Sequence, residues 1–160
     1  MKTLALGRNP RGTLTRAAAL IASAIVVFGF ILLPVRSHGI SMLPTYEDGT
    51  LNFANRAAYW WREPARGDVV AIRMAGRNVV YVKRIVAVPG ERIEIVAGVV
   101  LINGKPLIEP HVRNKAPWDM SSETLRADEY FVIGDNRAMA ISEHDFGRTS
   151  RSRIIGRMIF

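Results

Sequence analysis

The chain has 160 residues, which is enough for one domain and an appendage. Lysine and arginine number 22 against 14 acidic residues, so the formal charge is +8, and the basic residues are scattered rather than clustered. Scattered charge argues against a nucleic-acid-binding arm and fits an anionic membrane surface better. The absence of cysteine excludes a disulfide framework, thiolate chemistry and cysteine-ligated zinc.

The N-terminal part combines basic residues with the longest uncharged run of the chain. Residues 1–16 contain Lys2, Arg8, Arg11 and Arg16 and no acid, and residues 17–35 carry no charge. At about 1.5 Å per residue this run spans roughly 28 Å as a helix, close to the thickness of a bilayer core. The sequence therefore predicts a transmembrane anchor over residues 17–35.

Two other interpretations of this run are a cleavable secretory signal and a buried helix. The run is longer than a usual signal core, and Pro34-Val35-Arg36 stands where a small-x-small cleavage site would be expected. The basic residues before the run place residues 1–16 in the cytoplasm as a tail and residues 36–160 outside. We therefore expect a single-pass protein of the inner or plasma membrane with its domain on the outer face.

The remainder of the chain has the pattern of a mostly β, antiparallel domain. Short β-branched runs alternate with turn signals such as Asn103-Gly104, and the segment at 75–78 is typical of a hairpin loop. The predicted strands cover residues 68–74, 79–88, 92–96, 99–102, 130–133 and 154–160. Residues 111–127 are predicted to form a loop with at most one short helical turn. The Trp60-Trp61 pair fits a membrane-interface anchor and a core position equally well.

A serine at position 41 is the candidate nucleophile, in the sequence GISMLPT at 39–45. A serine hydroxyl needs a base, and histidine or a neutral lysine are the usual choices. The histidines are His38, His111 and His144. A Ser-His-Asp arrangement through His144 and Asp145 is unattractive, because neighbouring strand residues point to opposite faces.

Lys83 is the better candidate for the base. Strand alternation places it on one face with Val79, Tyr81, Ile85 and Ala87, all uncharged. Desolvation by such neighbours lowers the pKa of an ammonium towards the range useful for general-base catalysis. The alternative is an edge-strand lysine whose head reaches water.

Arg84 points to the other face of this strand. We expect it to pair with an acid, Asp135 or Glu91, rather than to take part in chemistry.

Four segments in this order resemble the type I signal peptidases: GISMLPT at 39–45, PARGDVV at 64–70, YVKRIVAVPGE at 81–91 and FVIGDNR at 131–137. The resemblance implies a largely antiparallel β domain that cleaves exported preproteins after a small-x-small sequence, with the bilayer and the preproteins as partners. It implies that Ser41 is the nucleophile and Lys83 the general base, with no cofactor, metal or nucleic acid. The residues implied to bind substrate or the oxyanion are Gly39, Ile40 and Met42. Those implied to give structural support are Pro44, Arg84, Gly134, Asp135, Asn136 and Arg137.

The sequence departs from the family pattern after FVIGDNR. The family usually has a serine there, then an aspartate-serine-arginine group and an aromatic-glycine pair. Phe146-Gly147 fits that last pair, and a gapless count puts Ala140, Ser142, Glu143 and His144 at the four polar positions. The serine that usually orients the lysine is thus replaced by alanine, which costs about 1–3 kcal/mol of local ordering. Gly39 likewise stands where some members have an oxyanion-binding serine.

These departures keep two alternatives open. One is a dedicated peptidase that matures conjugative pilins or plasmid-transfer proteins with the same serine and lysine. The other is an inactive relative that binds signal segments or scaffolds a membrane complex. A self-cleaving repressor of the serine–lysine type is remote, because an apolar run precedes Ser41 in place of a DNA-binding segment.

Overall fold

The computed structural model describes residues 10–73 and 80–159. The predicted hairpin loop at 75–78 and Val79, which was expected on the face of Lys83, lie outside the described residues.

The N-terminal helix leads directly into the first strand of the β domain. Helix α1 covers Pro10–Val26, and one π-helical turn continues it over Val27–Ile31. The 21 residues Arg11–Ile31, with a mean hydropathy of 2.1, are long and apolar enough to cross a membrane.

The helix bounds differ from the predicted anchor at both ends. Within the described residues, helical structure covers Pro10 to Ile31, whereas the predicted anchor covers residues 17–35. Residues Leu32–Arg36 form strand β1, which pairs antiparallel with β2, Leu51–Asn55. Apolar composition alone could not separate this strand from the helix, although Pro34 fits the edge position that β1 holds in its sheet.

The domain consists of two antiparallel sheets, which confirms the predicted mostly β class. The larger sheet has the order β1-β2-β11-β3-β4-β9-β10 and the smaller one β7-β6-β5-β8. The remaining strands are β3 Val69–Arg73, β4 Val80–Ala87, β5 Arg92–Val96, β6 Val99–Ile102, β7 Lys105–Pro106, β8 Met120–Thr124, β9 Glu129–Ile133, β10 Gly147–Ser150 and β11 Ile154–Ile159. In the part of the chain that the structure describes, 3₁₀ helices cover Arg56–Tyr59, Ile141–Glu143 and Arg151–Arg153.

The six predicted strands correspond to β3, β4, β5, β6, β9 and β11, whereas β1, β2, β7, β8 and β10 are not predicted. Strand β8, with the sequence MSSET, lies within the predicted loop at 111–127, and β10 has the sequence GRTS. Both are polar and lie at sheet edges, each with one neighbour. Their extended state comes from pairing with β5 and β9, which leaves no alternation for sequence reasoning to detect.

Strand β4 divides the core and positions its lysine. The first half of β4 follows the predicted alternation. Val80 and Val82 pack into one hydrophobic cluster on one face of the strand, and Ile85 packs into a second cluster on the opposite face. A bulge against β9 between Ile85 and Ala87 then ends the alternation, so that Val86 and Ala87 enter the same cluster. That third cluster fills the space between the two sheets.

The Trp60-Trp61 pair is exposed, so the core interpretation is wrong. The two side chains are 58% and 85% exposed and contact each other edge to face at 5.5 Å. They follow the first 3₁₀ helix, and Trp60 lines a surface depression with Phe30 from the end of the apolar helix. Two exposed indoles beside the end of an apolar helix support the membrane-interface interpretation.

Close packing of β11 on β2 makes Gly156 a sensitive position. A β-carbon at Gly156 would lie 2.5 Å from the Asn55 carbonyl oxygen, so Gly156→Ala should separate the strands and lower the free energy of unfolding by about 1–3 kcal/mol. Chemical denaturation of the detergent-solubilised protein measures this. Gly29→Ala, whose added carbon meets nothing within 4 Å, is the control and should cause no loss. Equal stability of the two variants would contradict the prediction.

Candidate active site

The candidate nucleophile lies in a loop that follows β1 and is held from behind by the turn after β9. The Asn136 side chain donates to the Ile40 carbonyl at 3.0 Å, and its backbone N–H donates to the Ser41 carbonyl, also at 3.0 Å. Gly39 has a φ of +84°, where glycine is strongly favoured, and its N–H donates to Asp48 Oδ1 at 2.8 Å. The loop conformation is therefore fixed on both sides of Ser41.

The structure brings Lys83 and Ser41 together. Lys83 Nζ lies 3.0 Å from Ser41 Oγ, within hydrogen-bonding distance. Lys83 is only 3% exposed, so the interpretation of an edge lysine with its head in water is wrong. Since Val70 of β3 is its strand partner, the lysine is fixed by a central strand rather than by a loop.

Burial has the electrostatic effect predicted for this lysine. Desolvation lowers the pKa of Lys83 from 10.5 to about 8, and the Asp145 carboxylate opposes part of that shift. With a pKa of about 8, roughly one molecule in ten carries a neutral amine at pH 7. A neutral amine beside a hydroxyl can accept its proton, which is the requirement for general-base catalysis.

A buried ion pair connects the lysine strand to the turn behind the serine. Arg84 Nε and Nη2 contact the two Asp135 carboxylate oxygens at 2.8 and 2.6 Å, so the expected partner is Asp135. Asp135, which is 2% exposed, also accepts a hydrogen bond from Thr45 Oγ1 in the serine loop. Such a bidentate pair imposes direction as well as attraction, and here it joins three segments of the chain.

Arg137, also predicted as support, is buried on the far side of the same turn. Its Nη1 donates to Glu109 Oε1 at 2.9 Å, and Lys115 Nζ lies 3.3 Å from Glu109 Oε2. The guanidinium also stacks over the Trp118 ring at 4.8 Å. Arg137 therefore joins the turn to the segment that contains Glu109 and Trp118.

Gly134 allows the serine loop to approach β9 closely. A β-carbon at this residue would lie 2.2 Å from the Ser41 carbonyl oxygen and 2.6 Å from His144 Cε1. Glycine is thus required at this position by space rather than by conformation. Pro44 lies in the same loop and is exposed.

Of the four altered positions after FVIGDNR, only His144 is in the interior. Ala140, Ser142 and Glu143 are exposed, and among the described contacts none of them bonds to Lys83. His144 is 5% exposed and packs edge to face on Trp118 at 4.9 Å. Burial and the nearby Lys83 charge lower the pKa of His144 to about 4, which keeps it neutral near pH 7.

No histidine is bonded to the serine in the described part of the chain. His38 is exposed at the rim of the cleft that contains Ser41, and His111 Nε2 lies 3.6 Å from Asp135 Oδ1. The two ring nitrogens of His144 have no hydrogen-bond partner among the described residues. The geometry therefore favours Lys83 over each of the histidines.

Sequence reasoning gave Asp145 no role towards the lysine. Asp145 and Lys83 line the same small cavity, and Asp145 is the acid that acts on the pKa of Lys83. Strand alternation argues only against a pairing of Asp145 with a histidine and says nothing of Lys83. In fact Asp145 follows the 3₁₀ helix Ile141–Glu143, where strand alternation does not apply.

A cleft of about 510 Å³ opens beside Ser41. Its walls are β1 with the residues that follow it and the first residues of β4, and its apolar lining includes Leu33, Val35, Met42 and Val82. Gly39 also lines the cleft, whereas Ile40 is half exposed outside the cleft lining. The Ser41 N–H has no acceptor among the described residues and is available to a bound group.

Comparison with known proteins assigns the family. The family described as "Signal peptidase, peptidase S26" matches residues 11–160. A signal peptidase I of Bacillus amyloliquefaciens is 34% identical over 147 residues, covering 85% of this chain and 76% of that protein. A signal peptidase I of Leptolyngbya laminosa is 32% identical over 127 residues, covering 74% of this chain and 63% of that protein. The chain belongs to the S26 signal peptidase family.

Among solved structures, a signal peptidase I from Enterococcus faecalis V583 aligns with a TM-score of 0.48 and 23% identity. The alignment covers 61% of this chain and 98% of that one. A likeness of this size adds nothing to the family assignment.

The buried lysine should reduce stability. Because folding lowers the pKa of Lys83, the folded protein binds fewer protons than the unfolded chain between about pH 8 and 10.5. Lys83→Met should therefore raise the free energy of unfolding by about 2–3 kcal/mol at pH 7. The gain should disappear as the pH approaches 10.5. Denaturation at several pH values tests this, with exposed Lys105→Met as the control; a gain independent of pH would contradict it.

Asp145 should set the pH dependence of the site. Since its carboxylate raises the pKa of Lys83, Asp145→Asn should lower that pKa further and move the rising limb of the pH–rate profile to lower pH. The measurement is kcat/KM for a preprotein peptide between pH 6 and 10, with exposed Asp119→Asn as the control. An unchanged midpoint, or one moved to higher pH, would show that Asp145 does not act on Lys83.

Proposed function

We propose that this protein is a membrane-bound serine endopeptidase that removes signal peptides from exported preproteins, with Ser41 as nucleophile and Lys83 as general base. The observation that carries the proposal is the 3.0 Å distance between Lys83 Nζ and Ser41 Oγ, with the lysine buried and the serine open to a cleft. The family assignment and the name signal peptidase I carried by its relatives support the reaction.

The proposed substrate geometry follows from the two walls of the cleft. Among the described residues, strand β1 pairs only with β2, and residues Val80–Lys83 of β4 pair only with β3, because pairing with β9 begins at Arg84. An extended preprotein segment between these walls would find backbone hydrogen-bonding groups on both sides. Alternate side chains would face the apolar lining, which agrees with recognition of small residues at every second position.

The reaction itself needs only the groups described. Neutral Lys83 accepts the proton of Ser41 as the hydroxyl oxygen attacks the carbonyl carbon, and the Ser41 N–H donates to the oxyanion. The C–N bond breaks, and the Lys83 ammonium returns its proton to the leaving amine. Water then hydrolyses the ester, with Lys83 accepting its proton, and the serine hydroxyl is restored.

For location, we propose that the apolar segment Arg11–Ile31 spans the inner or plasma membrane with the N-terminus in the cytoplasm. The exposed Trp60 and Trp61 would then lie at the outer interface, next to the end of the helix. The cleft opens beside β1, which follows the helix directly, so a substrate anchored in the same membrane would reach it from the bilayer surface.

Cleavage of a preprotein by the purified protein in detergent or liposomes tests the proposal. Ser41→Ala and Lys83→Ala should each reduce kcat/KM by at least about 10³-fold, since each removes a group that acts in the transition state. N-terminal sequencing of the product gives the cleavage position. Ser122→Ala and Lys105→Ala, at exposed positions of β8 and β7, are matched controls that should retain activity. Full activity in either test variant would refute the assignment of that residue.

A further inference from the structure

A second cavity lies on the other side of Lys83 from the cleft. Its volume is about 180 Å³, and it is lined by Tyr81 and Lys83 of β4, by the edge strand β10 and by the segment before that strand. The cleft is lined by Val80, Tyr81 and Val82, whereas this cavity is lined by Tyr81 and Lys83. The two spaces are thus neighbours that share Tyr81, and Lys83 lines the second.

The charges around the cavity favour an acidic ligand. Arg148 forms ion pairs with Glu123 and, at 3.4 Å, with Glu129. These carboxylates offset its positive charge, so it attracts a further anion only weakly. Arg153 lines the cavity, is exposed, and has no ion pair in the part of the chain that the structure describes. A carboxylate that reached this cavity would therefore meet the Arg153 guanidinium, which has no ion-pair partner among the described residues.

Asp145 also lines this cavity, and its carboxylate attracts a cationic rather than an anionic ligand group. It lies close enough to Lys83 to raise the pKa of the lysine, and it has no ion pair among the described residues. In the proposed reaction the leaving amine is protonated at Lys83, so a carboxylate is placed beside the positive charge that forms there. The Asp145 carboxylate thus attracts the new amino terminus, whereas the Arg153 guanidinium attracts an acidic side chain next to it.

We propose that this second cavity binds the side chain immediately after the scissile bond and prefers aspartate or glutamate there, through Arg153. The inference rests on the proposed function, because it takes Ser41 as the point of cleavage. It adds a specificity site on the leaving side of the bond to the recognition of small residues before it.

A substrate series tests the preference. Three preprotein peptides differ only at the residue after the scissile bond, which is Glu, Ala or Lys, and kcat/KM is measured with the full chain in detergent. We expect the order Glu, Ala, Lys, with about a tenfold ratio between Glu and Lys and a smaller ratio at high salt. Equal values for the three peptides, or the reverse order, would overturn the proposal.

Variants assign the effect to this cavity. Arg153→Gln should reduce the ratio between the Glu and Lys peptides to about twofold or less, whereas Arg153→Lys, which keeps the positive charge, should preserve most of it. Arg113→Gln is the matched control, because Arg113 is also exposed, has no ion pair among the described residues and lines neither cavity. An unchanged ratio in Arg153→Gln, or an equal loss in Arg113→Gln, would overturn the assignment.

Binding separates this inference from the proposed function. Ser41→Ala protein should bind the Glu peptide about tenfold more tightly than the Lys peptide, as measured by fluorescence anisotropy. Preferential binding without cleavage by the unaltered protein would support the cavity and contradict the peptidase. Cleavage without discrimination, in rate or in binding, would support the peptidase and refute the cavity.

Discussion

The arrangement of this protein depends on keeping one ammonium group out of water. Lys83 projects from a central strand into a place where burial opposes its charge, and the hydroxyl of Ser41 is its hydrogen-bonding neighbour. Burying a charge without a full counter-charge is unfavourable, so the rest of the domain must hold the lysine in place. The Arg84–Asp135 pair, on the opposite face of the same strand, attaches that strand to the turn behind the serine loop.

The support around the site differs from the pattern that the family resemblance implies, while the serine and the lysine keep their places. The alanine at position 140 is exposed, and the loop that contains it is held by an aromatic group instead of an ion pair. The Trp118 indole N–H donates to the Met139 carbonyl at 2.8 Å. The Trp118 ring also stacks on Phe146, with the centroids 5.7 Å apart, and makes a T-shaped contact with the His144 ring. Packing can thus replace polar contacts in fixing a loop, because aromatic pairs also restrict orientation.

Sequence reasoning succeeded where a local pattern carries the information. The β-branched runs of β3, β4 and β9 predicted strands, and alternation placed Lys83 among uncharged neighbours. It failed where structure comes from distant pairing. Leu32–Arg36 has the composition of a membrane segment and becomes a strand because β2 pairs with it, and β10 is polar and extended because β9 is its neighbour. Asp145 was assigned no part in the site because its relation to Lys83 depends on a loop path that no motif encodes.

The direct join between the apolar helix and β1 has a mechanical consequence. Ile31 ends the helix and Leu32 begins the strand, with no flexible linker between them, and that strand forms a wall of the cleft. With the helix in a bilayer, its depth and tilt would fix the height of Ser41 above the lipid. The distance of a scissile bond from the membrane would then determine whether Ser41 can reach it. A change in bilayer thickness would alter the height of Ser41 above the lipid without any change in sequence.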